Sequence, residues 1–244
     1  MRYLALACDY DETLTYDGRV DSETIAALVR FLASGRRLIL VTGRMLGDLV
    51  EIFPQAILFD SIVAENGCVL YRPPANTQKR LAQPPPANFI SELRRRKVEP
   101  LDIGAAIVAT RSVHQLQVLD VIRQLGIDLQ VVLNRGAAMV LPVGTDKATG
   151  LAAALREMAL SPDNVVGVGD AENDLAFLSL CACSVAVANA LPTIQERVDF
   201  VTRLGEGAGV CELIDEIVAT DLRARERVLT PRRLDRRLSR PLGP

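Results

Sequence analysis

Tyr3-Leu4-Ala5-Leu6-Ala7-Cys8 runs directly into Asp9-Tyr10-Asp11-Glu12-Thr13-Leu14-Thr15, and the fold is read from this join. Six mostly apolar residues predict a strand buried on both faces, as in a parallel sheet. Side chains alternate along a strand, so Asp9 and Asp11 can point the same way where it ends. Open α/β sheets bind ligands at the carboxyl ends of their strands. Two carboxylates held there are costly unless a cation or a proton-transfer role uses them. Turn formation or helix capping is the competing reading.

The residues that follow repeat the pattern. Residues 22–34 predict a helix with Ser22 as cap, Ile25, Leu28, Val29 and Leu32 on one face, and Gly35 as its stop. Residues 37–41 predict a second strand, ending in Thr42-Gly43-Arg44, and 45–53 a short helix stopped by Pro54. The order βαβα implies right-handed crossovers and a parallel sheet. Residues 62–64 and 69–71 predict two short strands around Glu65-Asn66-Gly67, where Asn-Gly is a hairpin signal. Pro73-Pro74 and Pro84-Pro85-Pro86 mark the stretch between as a linker.

Beyond the prolines the texture changes. Helices are expected over 88–97 and 113–125 and a strand over 105–109, with a strand pair (129–133, 137–141) around Asn134-Arg135-Gly136. Two helices and about three strands make a small α+β unit, inserted rather than appended. The βα rhythm then returns, with a helix over 146–158 and a strand over 165–168 that ends at Gly169-Asp170-Ala171-Glu172-Asn173-Asp174. A helix over 175–180, strands over 184–187 and 199–202, and a helix over 209–220 complete it. Gly205-x-Gly207-x-Gly209 reads as a loop, since it opens no βαβ unit.

Composition narrows the classes. With 244 residues, 49% of them hydrophobic, the chain can build one large core or two modest ones. A net charge of −2 carries no nucleic-acid signature, though residues 221–244 hold eight arginines against three acids, a local +5 that leaves −7 on the rest. That segment reads as a helix extension or a linker to a fused or partner domain. No apolar run approaches a membrane span. Cysteines at 8, 68, 181, 183 and 211 form no zinc pattern and, in odd number, suggest reduced thiols in a cytoplasm. No arginine follows any cysteine by six residues, which excludes a cysteine phosphatase, and no G-x-x-x-x-G-K-[ST] exists for a P-loop kinase. His114 is the sole histidine, so no His-based triad can form. Arg94-Arg95-Arg96-Lys97 reads as a solvated helix end, with an anionic-substrate clamp as the sharper alternative.

Four strand ends or loops carry the chemistry: Asp9 and Asp11, Thr42-Gly43-Arg44, Lys147, and Asp170, Asn173 and Asp174. Together they suit a phosphate and Mg²⁺. Mg²⁺ takes hard oxygen ligands and keeps several waters, so a few carboxylates suffice. A carboxylate can attack phosphorus, a lysine and the cation balance the phosphoryl charge, and a second carboxyl can move the proton.

In this order and spacing the motifs resemble the haloacid dehalogenase superfamily of phosphatases. Asp9-x-Asp11-x-Thr13 is similar to its first motif, Thr42 to its second, Lys147 to its third and Gly169-Asp170-x-x-Asn173-Asp174 to its fourth. Ala188-Asn189-Ala190 and Ala208-Gly209-Val210 resemble its Cof-like, sugar-phosphatase branch, and the resemblance covers about residues 1–220. It implies Asp9 as nucleophile, Asp11 as general acid/base with its backbone carbonyl on Mg²⁺, Asp170 and Asp174 at the metal, and Thr42, Gly43, Lys147 and Asn173 at the phosphate. Arg44 and Asn66 are candidate substrate contacts, against a surface ion pair and a turn residue respectively. Glu12 stands where the family often has Gly, and Gln195 where the branch often has Lys.

The expectation is therefore a Rossmann-like three-layer α/β/α core (1–83 and 142–220) with an inserted α+β cap (84–141). The chain is expected to be a cytoplasmic, Mg²⁺-dependent phosphatase of a small phosphorylated metabolite, a sugar phosphate or phosphoglycolate. A phosphotransferase or mutase of the same fold, or a non-catalytic binding domain of a longer protein, stand as the alternatives.

Overall fold

A computed structural model describes residues 1–134 and 136–225. In chain order the strands and longer helices are β1 (Ala5–Cys8), α1 (Ser22–Ala33), β2 (Arg37–Val41), α2 (Leu46–Ile52), β3 (Ser61–Ala64), β4 (Val69–Arg72), β5 (Thr77–Arg80), α3 (Ala87–Arg95), β6 (Asp102–Ile103) and β7 (Val108–Arg111). Then come α4 (Gln115–Leu125), β8 (Leu129–Asn134), β9 (Ala137–Pro142), α5 (Lys147–Glu157), β10 (Val165–Gly169), α6 (Leu175–Leu180), β11 (Cys183–Ala186), α7 (Pro192–Gln195), β12 (Phe200–Val201) and α8 (Glu206–Thr220). The backbone divides into two compact units: Met1–Ile39 with the described residues from Ala159 onward, and Leu40–Met158.

In the first unit β12, β11, β10 and β1 lie side by side, all parallel. The side chains of β1, β10 and β11 are buried on both faces, which is why these strands read as apolar runs, whereas the edge strand β12 is half-buried. Arg37 at the start of β2 donates its amide to Leu4. Helices α1 and α8 pack together and bury Leu28, Phe31, Val210, Leu213 and Ile217, each contributing about 1.5–3 kcal/mol. Register pairs Cys8 with Val168 and Gly169 with Ala186, so Asp9 and Asp170 both emerge at carboxyl ends of adjacent strands.

In the second unit β3, β4 and β5 form an antiparallel meander, and β6-β7-β9-β8 form a separate antiparallel sheet. Helices α3 and α4 pack together beside that sheet, and Phe89, Leu93, Val98, Val108, Val118, Val121 and Val140 make a core of their own. This core lies wholly within residues 84–141.

Several sequence expectations need correction. The residues between Tyr71 and the proline triplet are not all linker: Pro73–Ala75 form a 3₁₀ turn, Asn76 adopts φ 47°, and β5 returns along β4. Its four residues are exposed, so no apolar alternation announces it. The cap of α1 is Asp21, whose carboxylate accepts the Thr24 amide at 2.7 Å, rather than Ser22. The segment expected as an insertion has four strands rather than about three, β6 being two residues long, and β7 begins at Val108 rather than 105 because the Ala105 and Ala106 amides turn to Glu65. Gly207 is helical rather than loop, because α8 begins at Glu206 and not at 209. A Cβ at Gly207 would lie 2.3 Å from Thr24 Oγ1, so the glycine serves the close approach of α8 to α1. Of the Arg-rich tail expected over 221–244, Asp221 ends α8 in a left-handed conformation and Arg223–Arg225 form a 3₁₀ turn, while the residues from 226 on, like Arg135, lie outside the described residues. No helix among the described residues is long and apolar enough to cross a membrane.

Candidate active site

In the first unit, Asp9, Asp170 and Asp174 bring one carboxylate oxygen each within 4.8 Å of the others, and all three are buried. The strands dictate this: the Asp9 amide donates to the Val168 carbonyl, and Asp9 and Asp170 follow the carboxyl ends of the parallel neighbours β1 and β10. Asp174 is folded back by the 3₁₀ turn Glu172–Asp174, where its Oδ2 accepts the amides of Asp170 and Ala171, each at 3.0 Å. A Cβ at Gly169 would sit 2.7 Å from that oxygen, so the motif needs glycine there. Asn173 occupies the same turn and is half-buried.

Like charges this close repel by about 3 kcal/mol per pair at an effective dielectric near 20. The donor set is three hard oxygens, the kind a Mg²⁺-sized dication takes, and the residues present fit such an ion. Asp11 is half-buried in the turn after β1 and stands outside the three-carboxylate group. Glu12 follows with φ 58°, a left-handed conformation that explains the family's glycine there. Two bonds hold it: its amide donates to Thr15 Oγ1, and its carbonyl accepts from Asn189 Nδ2 at 2.8 Å. Asn189 Oδ1 in turn accepts the Glu206 amide, joining the loop to the start of α8. Cys8 packs in β1, and burial, then the neighbouring Asp9 charge, pushes its thiol far above the ordinary range, so it stays protonated.

In the second unit, Thr42, Gly43 and Arg44 follow β2. The Thr42 amide donates to Val63, its Oγ1 accepts the Arg44 amide at 3.1 Å, and its carbonyl accepts the Asn66 amide. A Cβ at Gly43 would press on the Asn66 side chain at 3.2 Å. Asn66 Nδ2 reaches Met139 Sδ in β9 at 2.9 Å. Lys147 is buried at the first turn of α5, after a capping box in which Asp146 accepts the Thr149 amide. A buried cation at the positive end of a helix is a placement that favours a nearby anion. Glycines hold the helix there: a Cβ at Gly67 would lie 1.9 Å from the Asp146 carbonyl, and one at Gly150 2.4 Å from Val63.

The profile of the haloacid dehalogenase-like hydrolases matches residues 6–101 and 123–214. This chain belongs to that family. Among its relatives is phosphoglycolate phosphatase 2 of Saccharolobus solfataricus, 29% identical over 222 residues that cover 88% of this chain and 93% of the relative. A phosphoglycolate phosphatase of Methanothermobacter thermautotrophicus is 31% identical over 218 residues, 86% and 96% respectively. A haloacid dehalogenase-like hydrolase from Bacteroides thetaiotaomicron has the same fold, with TM-score 0.77, 20% identity and coverage of 88% and 99%. A subclass IIB sugar phosphatase of the superfamily follows at TM-score 0.69 and 18% identity, covering 87% and 98%. The family's Rossmann-like α/β core is therefore this chain's fold, and the chain is a phosphatase of the family.

Within this haloacid dehalogenase-like site, two contributors escaped the sequence reading. Thr13, quoted there only as part of the first motif, is fully buried and donates its hydroxyl to Asp170 Oδ1 at 3.0 Å, fixing one carboxylate of the acidic group. Asn189, quoted only as a branch marker, holds the strained Glu12. Gln195, where the branch often has Lys, donates its amide to the Ala188 and Ala190 carbonyls and so serves the loop that carries Asn189. Arg95 and Arg96 are engaged with Glu92, Asp120 and Gln124, the solvated-helix-end reading rather than a free clamp. His114 bridges Gln117 and the Glu99 carbonyl, a structural role.

Proposed function

We propose that this phosphatase hydrolyses a small phosphorylated metabolite through a phosphoaspartate on Asp9, with Mg²⁺ held by Asp9, Asp170, Asp174 and the Asp11 carbonyl. The observation that carries the reading is the buried group of three carboxylates at the ends of β1 and β10. Bound there, Mg²⁺ supplies positive charge to the phosphoryl oxygens. The Asp9 carboxylate attacks phosphorus, and the P–O bond to the leaving group breaks as the Asp11 carboxyl gives that oxygen its proton. Asp11 then takes a proton from water, whose oxygen attacks the acyl phosphate and frees inorganic phosphate and the Asp9 carboxylate. Thr13 keeps Asp170 oriented throughout. Thr42, Gly43, Lys147 and Asn173 bind the phosphate, and Arg44 and Asn66 contact the substrate.

Residues 84–141 act as a cap on a core of 1–83 and 142–220, and the separate hydrophobic core of that segment supports this division. Cap closure excludes bulk water and selects the leaving group. Phosphoglycolate is the favoured substrate, because relatives of that activity match nearly end to end. The five free cysteines suit a cytoplasmic setting. A panel of phosphoglycolate and sugar phosphates tests the substrate. The expected kcat/KM for phosphoglycolate exceeds that for any hexose phosphate by at least about tenfold, a difference of about 1.4 kcal/mol in transition-state binding. A hexose phosphate on top would move the assignment to the sugar phosphatases.

A further inference from the structure

Glu65 has no part in the mechanism, yet its carboxylate is almost fully buried. It accepts the Ala105 amide at 3.0 Å and the Ala106 amide at 2.8 Å. Those amides belong to the turn between β6 and β7, closed by a bond from the Gly104 amide to the Ile107 carbonyl. Both partners of the carboxylate are thus backbone groups of the inserted segment. On its other side, the turn that carries Glu65 is tied to the loop after β2. The Glu65 amide donates to the Arg44 carbonyl at 3.0 Å, and the Asn66 amide to the Thr42 carbonyl at 3.1 Å. Next to it, Asn66 reaches Met139 of β9.

This turn is also strained. Glu65, Asn66 and Gly67 have φ of 53°, 52° and 99°, three consecutive left-handed residues of which only the last is a glycine. Each non-glycine residue there costs of order 1 kcal/mol and persists only where surrounding bonds over-determine it. Gly104 is fitted to the arrangement, since a Cβ there would lie 2.8–2.9 Å from the Glu65 carboxylate. A cavity of about 490 Å³ borders the contact, lined by Met45, Asp48, Tyr71, Gln78 and Ile103, so water can reach the carboxylate once the β6–β7 turn leaves.

We infer that Glu65 is a positioning residue, a catch that fixes the β6–β7 turn against the Thr42–Arg44 loop and thereby sets which leaving groups are accepted. This inference rests on the proposed phosphatase reading for its consequence, though not for the catch itself. A charged acceptor with two aligned amides suits a catch that closes and reopens. Its bonds are strong while dry, and the carboxylate is well hydrated when they break.

The test uses the full chain and two variants. Glu65→Gln turns one acceptor oxygen into an NH₂ group that opposes an amide donor. Gly104→Ala pries the same contact apart and leaves Glu65 in place. Hydrogen exchange of the Ala105 and Ala106 amides should accelerate at least about tenfold in both variants, the loss expected for hydrogen bonds to a charged group. The ratio of kcat/KM for phosphoglycolate over p-nitrophenyl phosphate should fall at least about fivefold, with turnover of the aryl phosphate changed less than about threefold. A purely structural role would instead lower both substrates together. Unchanged exchange in either folded variant, or a parallel loss on both substrates, overturns the catch. If Glu65→Gln does not fold, Gly104→Ala decides alone. If wild type hydrolyses neither phosphate, the phosphatase reading has failed, while the exchange measurement still judges the contact.

Discussion

Two parts of this molecule concentrate charge, and they do so in opposite ways. At the ends of β1 and β10, three carboxylates of one sign are buried within 4.8 Å of one another. At the end of α3, Glu92 meets Arg95 at 2.6 Å and Arg96 at 2.9 Å, and Arg96 continues to Asp120 at 2.6 Å. The second cluster is balanced internally and wet, with Arg95 and Asp120 more than half exposed. It joins α3 to α4, and what it contributes goes to the fold, reduced where Arg95 and Asp120 reach solvent. In the first cluster folding works against electrostatics, so something other than stability must account for it. Charge density in the sequence does not mark a site; burial of like charges does.

The sharpest way to break this contrast is to remove one charge from each cluster. Asp170→Asn should lower kcat by at least about 10³-fold, about 4 kcal/mol in the barrier. The metal-free protein should be no less stable, since one repulsion is removed. Steady-state kinetics beside thermal unfolding in a chelator read both. A variant that loses stability while keeping its rate would make the acidic group structural.

Glu92→Gln should do the reverse, leaving kcat/KM within about twofold. Its effect belongs to acid pH. Hydrogen bonds from Arg95 and then Arg96 hold the Glu92 carboxyl down to about 2, from an ordinary 4.5. A depressed carboxyl contributes stability that is present above its unfolded value and is lost as pH falls through the folded one. The wild type should therefore lose stability between about pH 4.5 and 2 more steeply than Glu92→Gln, as followed by melting temperature against pH. Parallel curves would show the cluster to be inert even there.

The parallel strands, the βα order and the motif residues were legible because burial on both faces writes itself as unbroken apolar runs ending in polar residues. Where burial leaves no such mark, the sequence was silent. Strand β5, Thr77–Arg80, is exposed throughout and is held to β4 through its backbone. Helix α8 starts among glycines, of which Gly207 serves a close approach to Thr24, a long-range fact. The site residues were readable by type and order, yet Thr13 on Asp170 and Glu65 on the Ala105 and Ala106 amides were not. Those contacts span 157, 40 and 41 residues, and a backbone amide as partner has no signature in the sequence. Glu12 is the intermediate case: its departure from the family's glycine was visible, and its φ of 58° gives the reason glycine is usual.

The central claim is that the buried acidic group at β1 and β10 runs phosphoryl transfer with Asp9 as nucleophile. The most direct measurement is hydrolysis of p-nitrophenyl phosphate with and without Mg²⁺, wild type beside Asp9→Asn. The account predicts turnover that requires Mg²⁺ and falls at least about 10⁴-fold in a folded Asp9→Asn protein. Turnover that is indifferent to Mg²⁺, or that survives in Asp9→Asn, would contradict it.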